Sequence, residues 1–173
     1  LTGDASSLGV PMKNAVSLAA EELKARGVNV RVIYEDGKCN GKDAATAAQK
    51  LVNIDNVKFI IGGLCSGETL AAAPIAEAAK VILLSPASTA PSISEAGDFI
   101  FRNTPSDAKG GAVLAAAMIS KYKKAAVISE NTDYAQGYRK VFSEEFVKGG
   151  GAIVSDESYT PGAKDFRSLL TKV

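Results

Sequence analysis

Residues 57–86 read VKFIIGGLCSGETLAAAPIAEAAKVILLSP. The stretch opens on a short apolar run, Val57 to Ile61, that stops at Gly62-Gly63. An Ala-rich helical segment follows from Glu68 to Ala79, and then a second apolar run, Val81 to Leu84, ends at Ser85-Pro86. Short apolar runs bounded by turn residues read as buried strands, and a helix between two of them makes a βαβ unit with parallel strands.

The same alternation extends in both directions. Toward the N-terminus, Asp43 to Val52 is Ala-rich and predicts a helix. Val28 to Tyr34 alternates β-branched with polar residues and predicts a strand. Residues 10–25 place Val10, Ala15, Leu18, Ala19 and Leu23 at helical spacing, with Glu21, Glu22 and Lys24 outward and Gly27 as the stop. Toward the C-terminus, residues 87–98 are rich in Ser, Pro and Thr and predict irregular chain, and Phe99 to Arg102 a strand. Ala108 to Tyr122 predicts a helix, Ala125 to Ser129 a strand, Tyr134 to Lys148 a helix, Ala152 to Ser158 a strand and Asp165 to Lys172 a last helix. Gly149-Gly150-Gly151 is a turn rather than a phosphate loop. Strands spaced by helices give an α/β fold with parallel sheets. A polar start that runs directly into a helix, and an end inside an amphipathic segment, lead us to expect a fragment of a longer protein, its leader already removed if it is exported.

Composition narrows the function. The 173 residues carry 20 Lys+Arg and 19 Asp+Glu, a formal net charge of +1, so no electrostatic case exists for nucleic acid or an acidic membrane as partner. No apolar run approaches the roughly 20 residues that span a bilayer, so no direct membrane insertion is expected. The absence of His excludes Ser-His-Asp triads and His-based metal sites within this chain. No cofactor and no metal are expected.

Ligands of open parallel sheets bind beyond the carboxyl ends of the strands. Three such segments stand out: Gly62 to Thr69, Ser85 to Pro91 and Glu130 to Gly137. Residues 63–67 match G-x-C-x-G, a nucleophile elbow with Cys65 at its tip, but an elbow thiol needs a base and no His is present. Ser66 begins a helix, where N–H groups and the macrodipole favour a carboxylate; it also suits a plain N-cap, and one residue can do both. Thr89 offers a hydroxyl that can donate to a carboxylate or accept from an ammonium, and exposed backbone carbonyls of the loop from Ser85 to Thr89 can accept from an ammonium. Tyr134 either presents its ring and hydroxyl to a ligand or packs on its own helix. Cys39 and Cys65 each lie a few residues past a strand end, which leaves open either one bridge or two unrelated thiols.

Taken in order, these segments resemble the type I periplasmic binding proteins, specifically the leucine/isoleucine/valine-binding group that feeds ATP-driven importers. Leu1-Thr2-Gly3-Asp4 with Gly9, Met12 and Ala20-Glu21-Glu22 resembles the opening of that group after its first strand. Gly62-Gly63-Leu64-Cys65-Ser66 and Leu84-Ser85-Pro86-Ala87-Ser88-Thr89-Ala90-Pro91 resemble its ligand loops, and Phe101-Arg102-Asn103-Thr104-Pro105-Ser106-Asp107 its crossover between lobes. Asp133 to Gly137 and Gly162 to Phe166 resemble second-lobe landmarks. The resemblance implies two Rossmann-like lobes joined by a hinge near Thr104, with lobe 1 at residues 1–103 and the first half of lobe 2 at 104–173. It implies an amino acid, branched-chain or aliphatic, captured in an interlobe cleft in the periplasm and delivered to the membrane permease of an ABC importer. Ser66 would bind the ligand carboxylate, the Ala87 carbonyl the ammonium, and Thr89 both charged groups; Tyr134 would close over the ligand. Leu8 stands where relatives often carry an aromatic residue lining the side-chain pocket. Cys39 and Cys65 would form a disulfide. A ligand-sensing ectodomain or regulator of the same fold, and a cysteine hydrolase using Cys65, are the alternatives.

Overall fold

The computed structural model describes residues 1–3 and 5–173; Asp4, part of the opening run quoted above, lies outside the described residues. The elements in chain order are α1 (Ser6–Ala25), α2 (Gly41–Asn53), β1 (Phe59–Ile61), α3 (Ser66–Ala79), β2 (Ile82–Ser85), β3 (Ile100–Arg102), α4 (Asp107–Ile119), β4 (Lys124–Glu130), α5 (Asp133–Lys148), β5 (Ala152–Tyr159) and α6 (Arg167–Leu170). A 3-10 turn, Pro91–Glu95, interrupts the otherwise irregular segment after β2. The chain divides into two compact units, Leu1–Ser88 with Ala96–Asn103, and Thr89–Glu95 with Thr104–Val173. Residues 89–95, expected with the first lobe, cluster with the second unit.

In the first unit the sheet order is β1-β2-β3, with both pairings parallel: Phe59 lies opposite Ile82 and Leu83 opposite Ile100. The core forms where α3 lies against this sheet. Ala72, Ala73 and Ala76 of α3 are buried together with Val81, Leu83 and Ile100. Alanine at the contact face brings helix and strands close, because interaxial distance follows side-chain size. On α2, Ala44 and Ala48 are the buried positions. Glu77 near the end of α3 accepts the Phe99 N–H at 2.9 Å and so ties the entry of β3 to the helix.

Val28 to Tyr34 corrects the expectation of a strand: among the described residues the segment is irregular and joins no ladder. Its alternation supplies β-propensity, yet a strand also needs a partner edge, and β1 pairs with β2 alone. Val28, Val30, Val32 and Tyr34 remain exposed. The Tyr34 hydroxyl instead meets the Ser17 hydroxyl of α1 at 2.7 Å, and Lys13 lies over its ring.

In the second unit β4 and β5 pair in parallel, from Lys124 opposite Ala152 to Glu130 opposite Tyr159. Phe142 and Phe146 of α5 stack at 5.5 Å and are buried with Ala115 of α4 and Ala125 of β4. Gly137 allows α5 to approach residue 91: a Cβ there would sit 2.9 Å from the Pro91 ring. The helix expected over Asp165 to Lys172 shortens to the single turn α6, and Asp165 stands ahead of it with its carboxylate accepting the Arg167 backbone N–H and guanidinium. No helix among the described residues is long and apolar enough to cross a membrane.

Candidate functional site

The carboxyl ends of β1 and β2 carry the first site. β1 ends at Ile61, and the chain turns through Gly62 to Cys65 before α3 starts at Ser66. β2 ends at Ser85, and its following loop folds back on that turn. The Ser85 hydroxyl donates to the Gly63 carbonyl at 2.7 Å and accepts the Ser88 N–H at 3.0 Å. The Ser88 hydroxyl reaches the Gly63 and Leu64 carbonyls, both at 3.2 Å, and shares a 2.8 Å hydrogen bond with Thr69. Thr69, Ser85 and Ser88 are buried. Buried hydroxyls that satisfy one another and the backbone around them fix a single loop conformation. The two segments expected to carry Ser66 and Ala87 are therefore hydrogen-bonded neighbours.

Ser66 occupies the first position of α3 and is buried, at 2% exposure. Cys65 is bonded to Cys39, with the Cα atoms 5.4 Å apart. Glu68, in the first turn of α3, brings its carboxylate back over the turn and accepts the Leu64 and Cys65 N–H groups, both at 3.0 Å. A carboxylate thus already sits at this helix N-terminus and offsets part of the macrodipole. An anion at this turn would therefore depend on direct hydrogen bonds more than on the macrodipole.

In the second unit lie Thr89 and Tyr134. Thr89 is half-buried and donates its hydroxyl to Asp107 of α4 at 2.6 Å, while its carbonyl accepts the Asp107 N–H at 3.0 Å. Thr89 and Asp107 form one wall of a cavity of about 460 Å³ with Thr104, Pro105, Lys109 and Val113. Tyr134 is the second residue of α5 and about half exposed, at 52%. Its helix start is held firmly: Thr132 caps the Ala135 N–H, and the Gln136 amide donates to the Ser129 hydroxyl and the Glu130 carbonyl. Arg139 bonds Gln136 on one side and Asp156 of β5 on the other, and the Asp156 carboxylate raises the guanidinium above its ordinary pKa. Leu8 lies near the start of α1 and is 61% exposed.

Sequence reasoning missed Glu68, Asp107 and Thr69. An acidic residue in the first turn of a helix reads as dipole compensation on a wet surface, and only three-dimensional placement turns it inward. Glu68 did carry a signal in its spacing: it is the third residue after Cys65, the acidic position of a capping box.

The whole chain, residues 1–173, matches the family described as periplasmic binding protein. It is 33% identical over its full length to a leucine-, isoleucine-, valine-, threonine- and alanine-binding protein of Pseudomonas aeruginosa, of which it covers 48%. Among solved structures it resembles, with TM-score 0.82 and 31% identity, the branched-chain amino acid transporter substrate-binding protein of Streptococcus pneumoniae in complex with isoleucine, covering 99% of this chain and 51% of that one. It also resembles, with TM-score 0.81 and 28% identity, an ABC-transporter solute-binding protein of Rhodopseudomonas palustris in complex with 3,4-dihydroxybenzoic acid, covering 99% of this chain and 48% of that one. The chain spans about half the length of the relatives it matches.

Proposed function

The chain belongs to the periplasmic binding protein family, and from that premise we propose that it is part of an extracytoplasmic solute-binding protein that captures an amino acid, branched-chain or aliphatic, for delivery to the permease of an ABC importer. The observation that carries this reading is the hydroxyl-fixed turn at Gly63–Ser66, held against the Ser85–Ser88 loop at the carboxyl edge of a parallel sheet. Open α/β sheets bind small ligands at this edge. Two relatives from Pseudomonas aeruginosa that match essentially the whole chain are named for binding amino acids.

The proposed contacts follow from donor and acceptor inventory. Ser66 at the start of α3 donates to the ligand carboxylate, and the Ala87 carbonyl accepts from the ammonium. Thr89 gives its proton to Asp107, so its hydroxyl lone pairs are what it offers, and they suit an ammonium. Tyr134 contributes an amphipathic ring from a helix start that is held in place, and Leu8 an apolar surface for the side chain. Catalysis plays no part in this reading: a cysteine nucleophile needs a free sulfur, and that of Cys65 is bonded to Cys39.

A second reading rests on the Rhodopseudomonas palustris relative, whose bound ligand is an aromatic acid without an ammonium group. Calorimetric titration of the full-length protein, after unfolding and refolding to strip carried-over ligand, separates the two. Micromolar or tighter binding of leucine, isoleucine or valine is expected. Binding of hydroxybenzoates with no heat from any amino acid would replace the ligand class and leave the family unchanged.

A further inference from the structure

The Glu68 carboxylate is buried, at 7% exposure, and grips two separate loops. Its Oε2 accepts the Leu64 and Cys65 N–H groups, both at 3.0 Å, and its Oε1 accepts the Cys39 N–H at 2.9 Å. Both loops are shaped around it. A Cβ at Gly37 would lie 2.4 Å from Oε1, and a Cβ at Gly63 would lie 2.4 Å from the Glu68 Cβ, so glycine is the residue that leaves room at each place. The disulfide joins the same two loops through Cys39 and Cys65. One pair of segments is thus tied twice, once by a covalent bond that reductants break and once by a carboxylate that they do not. Hydrogen bonds from three N–H groups to a charged acceptor are of the strong class.

We propose that Glu68 is the positioning residue of the Gly63–Ser66 turn, holding it against the Cys39 loop so that ligand binding depends on the carboxylate rather than on the disulfide. The ligand part of this inference rests on the reading of Ser66 as a ligand contact; the structural part does not. Glu68 touches no ligand in this scheme and acts through the amides at positions 39, 64 and 65. The disulfide becomes the secondary tie, one that secures the loops without setting the geometry of the turn.

The test uses the full-length protein with C39S/C65S, which removes the bridge and keeps every backbone amide. Amide hydrogen exchange at positions 39, 64 and 65 is followed by NMR. With Glu68 present, all three amides are expected to stay within about tenfold of the parent rate; adding E68A accelerates all three by a further tenfold to about a hundredfold. Adding E68Q, which keeps one acceptor oxygen for the turn and turns an amide toward Cys39, accelerates position 39 alone. Equal acceleration in C39S/C65S with and without Glu68 would overturn the proposal. Leucine titration is the second readout. C39S/C65S is expected to bind within about threefold of the parent, E68A about tenfold weaker, and E68Q to recover most of that loss. Unchanged affinity in E68A despite fast exchange would remove the positioning role. If the parent itself does not bind leucine, the ligand reading fails and the exchange results still decide the role of Glu68.

Discussion

Thr89 spends its proton on Asp107, and this fixes what the residue can do. A hydroxyl whose hydrogen is committed to a carboxylate 2.6 Å away acts toward any third group as an acceptor. The ammonium of an amino acid fits it, and a second carboxylate does not. T89V is therefore expected to weaken leucine binding about tenfold, the effect of one hydrogen bond to a charged group, while T89S retains most of it. Titration calorimetry on the three proteins checks this, and a T89V protein that binds like the parent would remove Thr89 from the site. Individual residues were legible to the degree that their neighbours are close in sequence. Ser66 and Thr89 stand out because strand ends and helix starts are punctuated by Gly, Ser and Pro. Asp107 does not, since Thr89 lies 18 positions away, and Glu68 does so only in part: its bonds to residues 64 and 65 are local, but its bond to Cys39 spans 29 positions. The pairing of Cys39 with Cys65 was likewise open on spacing alone, and became an expectation through family resemblance.

Elements were legible where one periodicity decides them. The helices from Gly41 to Lys148 fall close to their expected bounds because helix-forming runs, Ala-rich in α2 to α4 and charged and aromatic in α5, need little from the rest of the chain. Val28 to Tyr34 failed because pairing is non-local: β-branched alternation cannot say whether an edge waits for it. The support of α5 yields two stability predictions. Thr132 accepts the Ala135 N–H at the helix start, so T132A is expected to cost about 1 kcal/mol. Phe146 is fully buried against Phe142, Ala115 and Ala125, and F146A is expected to cost about 3–5 kcal/mol through lost burial and a residual cavity. Urea titrations of both variants against the parent measure these differences, and a cost for F146A no larger than for T132A would contradict the packing described for α5.

The distribution of apolar surface over the whole chain carries the last expectation. α1 contains no buried residue, and its Leu8, Val10, Leu18 and Leu23 are exposed. Phe59 and Ile61 of β1 are 69% and 57% exposed, and among the described residues β1 pairs with β2 alone, leaving one hydrogen-bonding edge without a strand. Large exposed apolar side chains beside an unpaired strand edge make a surface that recruits further chain, dye or another molecule. Taken by themselves, residues 1–173 are expected to bind 8-anilinonaphthalene-1-sulfonate strongly and to sediment as species larger than a monomer at micromolar concentration. Lysine at the edge counteracts strand addition by placing a charge where a neighbour would dock. F59K/I61K should therefore shift sedimentation toward monomer, whereas E144K, which adds a lysine beside Lys140 on the exposed polar face of α5, should leave it unchanged. A parent chain that sediments as a dye-silent monomer would mean that the α1 and β1 surfaces are covered in solution, and the exposure described for them would not hold.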